Sequence, residues 1–82
     1  MNLYITEKAK KDLQKLDENT KKRIKKTLDG MSKDTRKVDI KKVRSKDEKT
    51  WRLRVGDYRV FLTFESGSAT IIRVMHRKDA YK

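Results

Sequence analysis

The 82-residue chain contains no cysteine, no proline and a single histidine. Without cysteine there is neither a disulfide framework nor a thiolate zinc site. One histidine among scattered carboxylates is a poor donor set for a metal, so no cofactor is expected. Long apolar runs are also missing. No segment has the length of a signal peptide or a membrane span, which makes the cytoplasm the default compartment. No helix pairs a basic face with bulky Trp or Phe, so a membrane surface is not an expected partner. Hydrophobic residues make up 34% of the sequence, enough for a single domain over residues 1–82 with one modest core. No internal repeat is visible.

Negative charge is scarce too: 24 lysines and arginines stand against 12 acidic residues, a net charge of +12. Runs such as Lys8-Ala9-Lys10-Lys11 and Lys21-Lys22-Arg23-Ile24-Lys25-Lys26 read most simply as solvated helix faces. The overall excess nevertheless predicts attraction to nucleic acid or to an acidic protein, with a steep salt dependence. The two cations are segregated. Fourteen of sixteen lysines fall within residues 1–50, whereas Arg52, Arg54, Arg59, Arg73 and Arg77 are five of the eight arginines. Lysine solvates a surface, while arginine presents a rigid fork that grips phosphate in a bidentate way.

The arginine-rich segment is the clearly β-patterned part of the chain. TWRLRV alternates strictly, with Trp51, Leu53 and Val55 on one face and Arg52 and Arg54 on the other. Gly56-Asp57 supplies a two-residue turn of type II′ or I′. Folding back about it sets Val55 opposite Tyr58, Arg54 opposite Arg59, Leu53 opposite Val60 and Arg52 opposite Phe61. One face is then apolar, from Trp51 to Phe64, and the other gathers Arg52, Arg54, Arg59 and Phe61. Like charges directly opposite cost roughly 0.2–1 kcal/mol, an expense that a bound polyanion explains. A third strand follows the turn formers Glu65-Ser66-Gly67-Ser68. Ile72 and Val74 suit its core face, which directs Arg73, Met75 and Arg77 to the arginine face. Ile71 and Met75 compete for the same core role, and the register stays open.

The N-terminal half reads as a short strand, Asn2–Ile5, and two helices. Thr6 caps the first, with Glu7 in its first turn, and Ala9, Leu13 and Leu16 form its apolar stripe. Asp17 or Asn19 starts the second, where Ile24, Leu28 and Met31 repeat the spacing, and Gly30 and Ser32 weaken its end. Ser32–Thr50 is a mostly charged connection with room for a short edge strand around Ile40–Val43. The expected fold is α+β, in the order β-α-α-β-β-β, with a helical hairpin packed on a mainly antiparallel twisted sheet.

Arg52-Leu53-Arg54-Val55-Gly56-Asp57-Tyr58-Arg59-Val60, followed by Met75-His76-Arg77-Lys78-Asp79-Ala80-Tyr81, resembles the RelE/ParE toxin superfamily, and best its RelE branch. The resemblance covers nearly the whole chain. It implies a toxin of a type II toxin–antitoxin system, a metal-independent endoribonuclease that cuts mRNA in the ribosomal A site through attack of a ribose 2′-OH on the adjacent phosphate. It also implies an acidic, RelB-like antitoxin as cognate partner, besides the ribosome with its mRNA and ribosomal RNA. The same scaffold includes ParE-like inhibitors of DNA gyrase. A catalytically degenerate module that binds antitoxin or nucleic acid is the third alternative.

Through the resemblance, Arg59 corresponds to the arginine that holds the scissile phosphate, Arg77 to the one linked to the leaving group, and Tyr81 to the tyrosine that stacks on or orients the mRNA base. Arg52 and Arg54 stand where well-studied relatives have lysines. Arginine, with a pKa above ~12, is a poor general base, so proton abstraction falls to another group. His76, with an ordinary pKa of about 6.5, is the natural candidate, against the alternative that it only hydrogen-bonds at a strand end. A glutamate base used by another branch aligns with Lys41 here, and the nearby Glu48 has no matching motif. Phe61 offers a stacking surface or packs under the tail. Lys42, Arg44 and Arg73 are candidates for RNA contact, and a solvated basic loop is the equal alternative for Lys42 and Arg44.

Overall fold

Trp51 meets Phe64 edge-to-face, ring centroids 5.8 Å apart, and this contact lies on the apolar side of a five-stranded sheet. The computed structural model describes residues 1–43 and 49–80. Its elements are β1 (Asn2–Ile5), α1 (Glu7–Gln14), α2 (Glu18–Lys33), a 3₁₀ turn (Thr35–Lys37), β2 (Ile40–Lys42), β3 (Thr50–Val55), β4 (Tyr58–Glu65) and β5 (Ser68–His76). The strands lie in the order β1-β5-β4-β3-β2. β1 runs parallel to β5, and all other pairings are antiparallel.

Local chemistry accounts for the boundaries. Thr6 has extended backbone and caps α1 by accepting the Ala9 amide at 3.1 Å, while its own hydroxyl donates to the Ile72 carbonyl at 3.0 Å. One side chain therefore starts the helix and fastens it to β5. Asp17, rather than Asn19, precedes α2. The helix runs through Gly30 to Lys33 because nothing there obliges it to stop: the Asp34 amide still bonds the Gly30 carbonyl at 3.0 Å. The expected edge strand forms at Ile40–Lys42, and the Val43 amide extends its pairing to the Thr50 carbonyl.

The hairpin register matches the alternation of the sequence, with Val55↔Tyr58, Arg54↔Arg59, Leu53↔Val60 and Arg52↔Phe61. Gly56 carries φ +58 whereas Asp57 has no positive φ, the φ pattern of a type II′ turn. Ala9, Ile24, Leu28 and Met31 from the helices pack with Leu53, Val55, Val60, Leu62, Ala69, Ile71 and Val74 from the sheet. Fully buried side chains such as Ile24, Met31, Leu53 and Leu62 each contribute about 1.5–3 kcal/mol from desolvation.

The phase of β5 differs from the expected one. Leu62 pairs with Ile71 but Phe61 pairs with Arg73, so the register shifts between Phe61 and Leu62 and Ile72 becomes the extra residue of a bulge. The bulge reverses the alternation partway along the strand. Ile71 before it and Val74 after it both face the core, buried to 2% and 5%, while Ile72 does not join the core. Arg73 and Met75 remain on the opposite face, opposite Phe61 and Arg59.

Candidate nucleic-acid interface

The helices cover one face of the sheet, and the other carries the arginines in register. Lys41, Arg52, Phe61 and Arg73 form one row across β2, β3, β4 and β5, and Arg54, Arg59 and Met75 form the next. Lys41, which the sequence offers only as the position of a missing glutamate, thus adds a cation beside Arg52. The signal that would have found it is the register of β2, which is not local to the sequence. Lys42 stands opposite Trp51 and so points to the helix side of the sheet edge, exposed. It does not join the arginine face.

Arg54 and Arg59 sit directly opposite each other, and their heads take different courses. Arg54 is exposed. Arg59 is half-buried and folds back to the hairpin turn, where Nη1 donates to the carbonyls of Gly56 and Tyr58 at 3.0 Å each. Carbonyl oxygens satisfy part of the guanidinium without neutralising it, and leave donors of its fork for an anion. Arg77 follows β5 and reaches the same turn. Its amide donates to the Asp57 carbonyl at 2.7 Å, and its Nε lies 3.8 Å from Asp57 Oδ1. That ion pair is exposed and loose, worth little in water.

Arg73 is engaged otherwise. Its Nε donates to Asp12 Oδ2 at 2.8 Å and its Nη2 to Oδ1 at 3.4 Å, while the Val74 amide donates to the same Oδ2 at 2.9 Å. Partial burial alone raises the Asp12 pKa, but the Arg73 hydrogen bond, the Val74 amide and the charges of Arg73 and Lys15 outweigh it and hold the carboxyl below its ordinary value. The same pairing holds the Arg73 pKa above its own. An arginine expected to contact RNA therefore spends much of its hydrogen-bonding capacity on α1.

His76 does not lie with the arginines. It pairs with Tyr58, and the two rings meet edge-on at 5.3 Å on the helix side of the sheet. Nδ1 accepts the Lys78 amide at 3.1 Å, which assigns the neutral ring's proton to Nε2. The His76 carbonyl accepts the amides of Asp79 and Ala80, so this residue organises the turn that follows β5. The expected proton acceptor is thus placed across the sheet from Arg52, Arg54 and Arg59, with its lone pair occupied. Tyr81, Arg44 and Glu48 lie outside the described residues. Arg52 is half-buried, its Nε closed to solvent. Among the described residues no three potential metal ligands cluster, and no helix is long and apolar enough to cross a membrane.

A family model described as the ParE toxin of type II toxin–antitoxin systems, parDE, matches residues 3–81. Among solved structures, a chain of the RelB–RelE antitoxin–toxin complex from Methanococcus jannaschii is 28% identical, covering 95% of this chain and 94% of that one, with a TM-score of 0.80. A chain of the toxin–antitoxin complex RelBE2 from Mycobacterium tuberculosis is 25% identical, covering 93% and 96%, with a TM-score of 0.81. The YoeB dimer of Staphylococcus aureus, at 17% identity, 93% and 95% coverage and a TM-score of 0.77, shares the fold. No curated protein matches the sequence.

Proposed function

Since the chain belongs to the RelE/ParE superfamily of type II toxin–antitoxin toxins, we propose that it is a cytoplasmic endoribonuclease that cuts mRNA in the ribosomal A site and so arrests translation. The observation that carries this reading is the convergence of Arg54, Arg59 and Arg77 near one hairpin turn, which itself carries a single carboxylate, Asp57. In the reaction the 2′-oxygen bonds to phosphorus as the P–O5′ bond breaks. One proton leaves the 2′-hydroxyl and one reaches O5′. Negative charge grows on the phosphorane-like oxygens, and fixed guanidinium groups that need no reorganisation stabilise it.

Arg59, anchored by two carbonyls, clamps the scissile phosphate, and Arg77 steadies the leaving oxygen. Arg52 and Arg54 supply further positive charge, Phe61 and Tyr81 offer stacking surfaces, and Lys41 extends the cationic row. Arg73 borders the RNA path with the part of its fork that Asp12 leaves free. His76 serves mainly to shape the C-terminal turn that presents Arg77. To act as a base it has to exchange the Lys78 amide for substrate.

The partner that restrains this activity is an acidic antitoxin, in keeping with the RelB-containing complexes among the structural relatives and with the net charge of +12. A segment with enough carboxylates to neutralise the arginines is at least partly disordered before it binds. Raising salt then slows association more than it speeds release.

Primer extension on an mRNA translated with and without the purified protein tests the reading. New 5′ ends in phase with codons support it, and an unaltered transcript removes it. The description of the matching family model favours a second reading, ParE-like inhibition of DNA gyrase. Loss of supercoiling activity with an intact transcript selects that one.

A further inference from the structure

Arg23 is placed differently from its neighbours in the basic run of α2. Its guanidinium crosses to the β3–β4 turn and lies against Gly56, so close that a Cβ on that glycine would stand 2.8 Å from Nη1 and 3.2 Å from Cζ. The Gly56 carbonyl meanwhile accepts Arg59 Nη1 at 3.0 Å. One guanidinium arrives from the helix side of the sheet and the other from the open face, and both settle on a single turn residue. Glycine at this position therefore permits two things, the positive φ of the turn and the approach of Arg23.

Two cations gathered on one turn residue repel each other, an expense that a bound anion would offset. Asp57 is the carboxylate within this turn, and it pairs with Arg77. Neither Arg23 nor Arg59 makes an ion pair with any described residue. Each keeps unspent donors in a planar fork suited to phosphate oxygens.

We propose that Arg23 is a further phosphate-binding residue of the site, which takes a backbone phosphodiester of single-stranded RNA adjacent to the one held by Arg59. This rests on the ribonuclease reading for its ligand, and it extends the cationic surface from the open face around the end of the sheet onto α2. Unlike Arg59, Arg23 binds substrate and need not touch the reacting atoms.

The test uses the full chain and a short 2′-O-methylated RNA, which binds but cannot be cut because the attacking hydroxyl is blocked. Binding is followed by fluorescence anisotropy over a salt series. Arg23→Gln should weaken binding about tenfold, as expected for one charge-assisted contact, and reduce the slope of log K against log salt by about 0.7. Arg23→Lys should restore the slope but not the full affinity. Lys33→Gln, an equal loss of charge at the exposed far end of α2, should change affinity less than about twofold. In the unaltered protein the Nε–Hε signals of Arg23 and Arg59 should shift together on titration, a readout that needs no variant to fold. If Arg23→Gln behaves as Lys33→Gln, or the Arg23 signal stays still while that of Arg59 moves, Arg23 is only packing on Gly56 and the ribonuclease reading survives. If the unaltered protein does not bind the RNA, the Arg23 proposal falls, and the ribonuclease reading is still decided by primer extension on ribosomes.

Discussion

Asp12 and Arg73, 61 residues apart in sequence, form the bond that fastens α1 to β5: Nε to Oδ2 at 2.8 Å, with the Val74 amide on the same oxygen. The Asp12 carboxyl titrates below its ordinary value in the folded chain. A carboxylate of that kind contributes stability that is present above its unfolded pKa of about 3.9 and is lost as pH falls through the lower folded value. Asp12→Asn should therefore cost about 1–3 kcal/mol near neutrality, with the gap to the parent closing below about pH 4. Unfolding free energies measured from acid to neutral pH check this. A gap that stays constant into acid would assign the stability elsewhere.

Replacing Arg59 or Arg77 with Ala should lower single-turnover cleavage on ribosomes by about 10²–10³ for each guanidinium removed from the transition state while the fold persists. Arg54→Ala relieves the repulsion with Arg59 and should raise stability by up to about 1 kcal/mol or leave it unchanged. Thermal melts beside cleavage assays separate the two effects, and full activity without Arg59 would end the clamp reading.

His76→Gln should leave the shape of the pH–rate profile as it is, because the ring lies across the sheet from the arginine row and accepts the Lys78 amide. Removing the ring that faces Tyr58 should cost about 0.5–1.5 kcal/mol. A profile that loses an inflection near neutral pH would instead make His76 the proton carrier.

Leu53 is fully buried on β3, an interior strand of the sheet. Leu53→Ala should cost about 2–5 kcal/mol, a large share of the roughly 5–15 kcal/mol that holds a domain together. Chemical denaturation at constant m-value is the measurement, and a cost under about 1 kcal/mol would mean that this core is not tightly packed.

The hairpin is legible in the sequence because its information is local. Strict alternation in TWRLRV and a glycine at the first turn position fix the pairing of Arg54 with Arg59. Thr6 is legible for the same reason, a capping side chain directly before a helical stripe. The bulge at Ile72 is not, since no residue type announces an extra residue in a strand, and only the cores on both sides of it force the change of phase. Asp12 looks like one more charge on a solvated helix, and Arg23 like one more cation in a basic run. Their roles come from meetings between elements that the order of the chain keeps apart.

The pattern of shielding along the sheet has a consequence for solubility. The outermost strands are short, four residues in β1 and three in β2, and short edges offer little template for another chain. Beyond the end of β1, where β5 would otherwise expose its own edge, Thr6 takes the carbonyl of Ile72 and Asp12 takes the amide of Val74. The long strands that could seed stacking between molecules are thus closed off by short paired neighbours and two polar side chains rather than by charge alone. The chain should stay dispersed in concentrated salt, where its twelve surplus positive charges no longer keep copies apart.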